Sequence, residues 1–317
     1  MGGVVLSIDT ELTWRHRVAG LGWEENYALS IEPAEVGLSY QLEMLKSHGL
    51  KACFFVDPMP AKLFGLDPVK RMVETILEGD QEVQLHLHPM WDKARADGSI
   101  APDTVFELTD LDFEAQRAMI AEARDLLVAA GAPQPSAFRS GSYAVNDDSL
   151  RALAEIGISI DSSHNGCEAP WPSGLDLPPD HIAPTRYLGV TEIPVSQIRI
   201  ANGGVRHLQI CAVSLAEMTW ALDHAAQQGH PVTTIVGHSF ELATRGGGQA
   251  NAVVKSRFDG LCKLLAERAD RQPTMYISQL EHVPCGLNLE PAAASMPLVA
   301  SRMISQFWAN LIERRAA

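Results

Sequence analysis

The stretch EVQLHLHPMW, residues 82–91, alternates polar and apolar side chains as far as His88 and then meets Pro89. Alternation with period two marks a β-strand, and a proline, having no N–H to give to a ladder, ends one. Side chains two apart on a strand share a face, so His86 and His88 present their imidazoles to the same point. Whether that point is a site depends on what the neighbouring strand ends carry.

On either side of it, apolar runs alternate with helical patterns. Residues 4–8 read as a buried strand. Residues 33–48 read as an amphipathic helix with Val36, Tyr40, Met44 and Leu45 on one side, followed by a strand at 51–56 and a helix near 68–78. After the histidine strand come a helix at 112–130, a strand at 136–139, a helix capped by Asn146 and ending at Gly157, and a strand at 158–161. The proline-rich excursion CEAPWPSGLDLPPDHIAPTRYLG, residues 167–189, is too long for a simple connection and reads as a lid or binding loop. Further strands are expected at 190–200, 205–210, 232–236 and near 273–277, with helices at 215–228 and roughly 252–269. This order predicts an α/β fold, a parallel sheet or barrel with both faces covered.

A chain of 317 residues that is 46% hydrophobic can bury one large core, so one main domain is expected. The net charge of −14, with no basic tract, argues against nucleic acid as a partner. The start, MGGVVLSIDTE, lacks a signal-peptide pattern, and no apolar run reaches the length of a membrane span, so a cytoplasmic protein is expected. Cys53, Cys167, Cys211, Cys262 and Cys285 are scattered without a CxxC pair and are expected to be reduced, structural thiols.

In parallel barrels the loops at the C-terminal ends of the strands build the site. Here those ends read SIDTE, LHLHP, FRSGSY, IDSSHN and IVGHSFEL. Asp9 and Glu11 repeat the spacing of His86 and His88, so they too face one centre. Two neutral imidazoles and a carboxylate suit a divalent, zinc-like ion that keeps a position open for water.

In their order, these stretches resemble the motifs of the polysaccharide deacetylase family (NodB-homology carbohydrate esterases), metal-dependent hydrolases that remove acyl groups from amino sugars. The likeness runs through roughly residues 3–282. It implies a distorted, incomplete (β/α) barrel of about seven strands over residues 1–285, with a helical extension at 286–317. In SIDTE it places the general base on Asp9 and a metal-binding carboxylate on Glu11. The family's two metal histidines usually stand three residues apart, whereas only Leu87 separates His86 from His88. FRSGSY supplies Arg139, counterpart of the arginine that holds the base, without the proline that usually follows. GISIDSSHN is similar to the YDSS strand end of several branches, and TEIPVS to a following Glu-x-Pro segment. VGHSFEL is similar to the last motif, whose histidine, here His238, acts as general acid, with Glu241 matching an acidic residue of some branches.

Hydrolysis of an amide or ester needs a nucleophilic water, a sink for oxyanion charge and a proton for the leaving group. On this reading a metal held by Glu11, His86 and His88 polarises the water and the acyl oxygen. Asp9 takes the water proton, kept ionised by Arg139, and His238 donates to the departing amine, tuned by Asp161 or Glu241. Zinc is the expected ion, with cobalt, nickel or manganese as substitutes. Trp14, Trp91 and Tyr143, with Trp23 and Trp171 nearby, are expected to wall a sugar subsite that Glu241 also reaches. The expected substrate is an N-acylated, foremost acetylated, sugar or oligosaccharide, or a related small amide. Two alternatives stand beside it: an amidohydrolase-type metallohydrolase, and a carbohydrate-binding relative without catalysis. The first would normally place its histidine pair on the first strand, where this chain has Asp9 and Glu11. ATRGGGQAN lacks the Gly-Lys-Ser/Thr ending of a phosphate loop and reads as a flexible loop. In the tail, Leu298, Met303, Ile304, Phe307, Trp308 and Leu311 recur at near-helical spacing, expected to clasp the barrel or a second copy in a homo-oligomer.

Overall fold

The computed structural model describes residues 2–168, 173–200 and 204–316. Its strands are β1 (Gly3–Thr10), β2 (Cys53–Val56), β3 (Glu82–Leu87), β4 (Ala137–Ser140), β5 (Ile160–Asp161), β6 (Thr185–Tyr187), β7 (Val190–Glu192), β8 (Gln197–Arg199), β9 (Val205–His207), β10 (Val232–His238) and β11 (Ala292–Ala293). Eight of them form one curled sheet in the order β10-β1-β2-β3-β4-β5-β7-β6. Every neighbouring pair in it is parallel except β6 with β7, so seven parallel strands make a barrel that stays open. This is the expected architecture. The free edge of β10 is covered by residues 208–210, where Val236 N donates to Leu208 O at 2.9 Å and Ile210 N to Val236 O at 3.0 Å. A second sheet, β11-β8-β9, continues from there.

Alternation along β1 sorts its residues. Val4, Leu6 and Ile8 enter the large core between sheet and helices, whereas Val5 joins Cys53, Phe55, Ala137 and Ile160 in a smaller cluster on the other face. Ser7 and Asp9 follow Val5 on that inner face. The inside of the barrel is therefore an apolar plug below and a polar mouth above. Outside, amphipathic helices cover the sheet; Asp67–Glu78, for example, buries Val69, Met72, Val73 and Ile76 at helical spacing.

Four expected elements differ. The helix expected at 33–48 starts only at Leu38, after a turn in which Ala34 and Glu35 take positive φ. It buries Leu38, Gln41, Leu42 and Leu45; of the expected face Leu45 and, in the preceding turn, Val36 are buried, while Tyr40 and Met44 pack half-buried against the core. Gly37 explains the late start: a Cβ there would lie 2.2 Å from Ile31 O, so the chain turns back too tightly for a helix. The strand expected at 190–200 breaks at Pro194 into β7 and β8, which belong to different sheets. The one at 205–210 stops at His207 before its tail lies along β10. Residues 273–277 make only a single bridge, Val4 to Thr274, before the chain coils into a turn that seals the barrel floor with Ile277 and Leu280.

Candidate active site

Strand register does the positioning. The β1–β10 ladder sets Asp9 beside His238, and the β3–β4 ladder sets His86 beside Arg139. All four lie at the C-terminal mouth of the barrel.

Arg139 is fully buried and every donor nitrogen is engaged. Its Nη1 donates to Asp9 Oδ1 at 2.7 Å and Ser7 Oγ at 3.0 Å, its Nε to Ser162 O at 3.0 Å, and its Nη2 to Ser162 Oγ at 3.1 Å. The guanidinium carbon stands 4.3 Å from the centre of the Phe55 ring. Burial works against its charge, but Asp9 outweighs it and raises the Arg139 pKa above the ordinary value. This charge-assisted pair orients Asp9.

Glu11 Oε2 lies 2.5 Å from His88 Nε2 and 3.5 Å from His86 Nε2. One ligand atom from each of Glu11, His86 and His88 falls within 4.8 Å of the others, a cluster that could hold a metal ion. Its surroundings fit that use. His86 Nδ1 is 2.7 Å from Arg139 O, which can only accept, so Nδ1 carries a proton and Nε2 is the ring nitrogen turned to Glu11. The His88 ring lies against Gly141, where a Cβ would come within 2.3 Å of Nδ1. Burial penalises the Glu11 charge, but His88 and His86 outweigh it and hold its pKa well below the carboxylate range. Burial likewise opposes charge on His88, which Glu11 and Asp57 nevertheless push up to about 9.

His238 Nε2 is 3.8 Å from Asp9 Oδ2, and its Nδ1 is 3.6 Å from Glu241 Oε1. Gln209 joins them, its Nε2 standing 2.5 Å from Glu241 Oε1 and 3.3 Å from His238 Nδ1. Desolvation lowers the His238 pKa, but the hydrogen bond it donates to Glu241 and the Asp9 charge carry it up to about 9.

Asp161, expected as a tuner of His238, sits elsewhere. It is fully buried, accepts from Ser163 N and Oγ, and lies beside buried Glu192 in the β5–β7 ladder. Burial raises both carboxyl pKa values. The carboxylate that meets His238 Nδ1 is Glu241 alone among the described residues. Trp91 also departs from expectation: it is 1% exposed and packs in the core, edge to face with Trp14 at 5.2 Å, so it offers no surface to a ligand. Trp14 itself lines a cavity of about 210 Å³ together with Glu11. Trp23 packs edge to face on Tyr27, and Trp171 lies outside the described residues. Tyr143, in left-handed conformation after Ser142, buries a hydroxyl that has no hydrogen-bond partner among the described residues. Burial and the Asp9 charge raise its pKa well above the ordinary value. A larger cavity of about 650 Å³ opens from His238, Gln209 and Glu241 toward the C-terminal helix.

Asp57 escaped the sequence reading, although FFVDP ends a parallel strand as the other motifs do. It is fully buried; Oδ1 accepts from Met59 N at 3.0 Å and Oδ2 has no partner. Burial pushes its pKa up to about 6 against the His88 and His86 charges. Gln209, by contrast, left no sequence signal, because it enters from a loop beside β10.

No family model and no curated protein sequence matches the chain. Among solved structures it is similar to a Mycobacterium smegmatis protein assigned as a polysaccharide deacetylase, with a TM-score of 0.56 at 16% identity over 91% of this chain and 94% of that one. It is also similar to a family 4 carbohydrate esterase from Streptomyces lividans in complex with acetate (TM-score 0.45, 14% identity, 90% of this chain and 98% of that one). A CE4-family pseudoenzyme from Bacillus anthracis follows (0.42, 13% identity, 92% and 69%). The first similarity shows the fold: this is an α/β chain built on the incomplete barrel of the polysaccharide deacetylases. At such identity it shows the fold alone, and the site has to speak for the chemistry.

Proposed function

We propose that the chain is a metal-dependent deacylase that removes an acyl group, foremost acetyl, from an N-acylated sugar or related small amide. One observation carries this: a cluster of metal-ligand type, an arginine-held carboxylate and a carboxylate-backed histidine meet on one rim, with His238 Nε2 3.8 Å from Asp9 Oδ2. Glu11, His86 and His88 would hold the ion, zinc before cobalt, nickel or manganese, because two imidazoles and one carboxylate match its ligand preferences and leave a position open. A bound divalent ion supplies Lewis acidity toward water and the acyl oxygen. Asp9, oriented by Arg139, takes the proton from the attacking water. His238, protonated up to about pH 9, gives its proton to the departing amine. Residues 1–285 form the catalytic unit and 286–317 an extension whose exposed apolar stripe supports self-association.

The test is elemental analysis of untagged protein beside the His86→Ala/His88→Ala double variant, with acetate release from N-acetylated amino sugars. About one equivalent of metal, lost in the variant, with acetate released, supports the reading. Protein that takes up no zinc, cobalt or nickel sinks it. Asp9→Asn is expected to keep its metal and lose about 10²–10⁴-fold in turnover, the range for a positioned base; near-full activity would remove Asp9 from that role.

A further inference from the structure

We propose that the outer end of the cavity beside His238 is a subsite for an anionic group, so that the substrate carries a carboxylate or phosphate at a distance from its acyl group. The reaction assigned to that substrate rests on the deacylase reading above; the anion subsite does not.

The cavity of about 650 Å³ is of a size that takes a sugar-sized ligand. Half-buried His238 and buried Glu241 stand at one end, and Arg15, Arg245 and Arg314 reach it at the exposed end. Three arginines meeting at one pocket are unexpected in a chain of net charge −14. Several other arginines are tied to carboxylates, as Arg117 is to Glu114, Arg199 to Asp180 and Arg302 to Glu217, or to backbone carbonyls, as Arg17 is to Gly98 O and Arg257 to Cys211 O. Arg15, Arg245 and Arg314 form no ion pair with a carboxylate among the described residues. Glu313, on the same rim, accepts from the backbone N of Arg245 at 2.5 Å and offsets part of the positive field.

Arg15 is fixed relative to the acid. Its guanidinium carbon lies 5.9 Å from the centre of the Phe240 ring, which stands 5.0 Å from the His238 ring. Arg15 also lines the small cavity that contains Glu11, so it borders both the metal-ligand cluster and the acid. Arg15 and Arg245 line the same cavity, and burial and the charge of Arg245 lower the Arg15 pKa against the charges of Glu313 and Glu11. An anion bound between the two arginines would offset their like charges and engage their planar donor forks.

The experiment is titration calorimetry on the full chain with zinc added, using N-acetylglucosamine, N-acetylglucosamine 6-phosphate and N-acetylmuramic acid as probes. At least one anionic probe is expected to bind about tenfold tighter than the neutral sugar, with the advantage shrinking as salt rises. Which one does so separates phosphate from carboxylate. The advantage should fall in Arg15→Gln/Arg245→Gln, and in Arg314→Gln should the double variant fail to fold. Equal affinity for all three, no measurable binding of either anion, or an advantage that survives these substitutions overturns the proposal. Failure of the deacylase reading shows separately, as missing metal or as no acetate from any probe.

Discussion

Glu241 governs His238 from 3.6 Å, and that single contact makes a test of the acid. A histidine held at about 9 keeps its proton through neutral pH and loses it as pH rises through that value. The alkaline limb of kcat/KM is therefore expected near pH 9. Glu241→Gln removes the charge and changes the hydrogen bond that support the proton, so the limb should move down toward the ordinary histidine range. A pH–rate profile unchanged in the variant would show that His238 is not the proton donor. Asp57 offers a second test at this scale. A buried carboxylate with an unpartnered oxygen weakens the fold, yet its charge favours a nearby cation. Asp57→Asn is expected to melt at the same or higher temperature while binding zinc about tenfold more weakly. Unchanged zinc affinity, read by competition with a chelating dye, would leave Asp57 without a part in the cluster.

At the scale of elements, the turn Gly141–Tyr143 shapes the site as much as the strands do. Glycine at 141 lets the β4 end pass against the His88 ring, and Ser142 and Tyr143 then take φ of 53° and 59°. Gly141→Ala should drive His88 off its position. A loss of about 10–100-fold in zinc affinity and about 1–3 kcal/mol in stability is expected; a variant with wild-type affinity and melting would show that the ring has room to move. The strand ends were legible in the sequence because alternation and polar termini coincide on β1, β3 and β10. The helix Leu215–Gln228 was read to the residue, since Ser214 and Glu217 form a capping box and Gly229 closes it at φ 67°. What escaped was lateral. Which carboxylate meets His238 depends on how the sheet curls, and so the sequence left Asp161 and Glu241 as alternatives, of which Glu241 makes the contact. Trp91 sits next to a motif in sequence, but the tight 3₁₀ turn Pro89–Trp91 after His88 sends it into the core. Pro194 marked a break that the apolar content around it concealed.

For the whole molecule the question is how the C-terminal helix, Met296–Ala316, is held over the cavity it walls. The sequence suggested its apolar stripe as the clasp. Instead Met303, Ile304, Phe307 and Trp308 are exposed, while Ala309 is buried and Arg302, Ser305 and Gln306 meet the barrel. The attachment runs through Glu217, which is fully buried and serves two masters. Its Oε2 accepts from Ser214 N at 2.8 Å and Oγ at 2.9 Å, capping its own helix, and its Oε1 accepts from Arg302 Nε at 3.1 Å. Arg302→Met would take from that buried carboxylate its salt-bridge partner, leaving only the more distant charge of Arg257, a loss of about 3 kcal/mol. Amides of the C-terminal helix should then exchange faster with solvent while those of β1 stay protected. Because the penalty comes from the orphaned charge, adding Glu217→Gln should recover part of the stability, since the neutral amide keeps the cap. A double variant no more stable than Arg302→Met would mean that the arginine acts through packing of its stem, and that the helix is held by surface fit instead of by this pair.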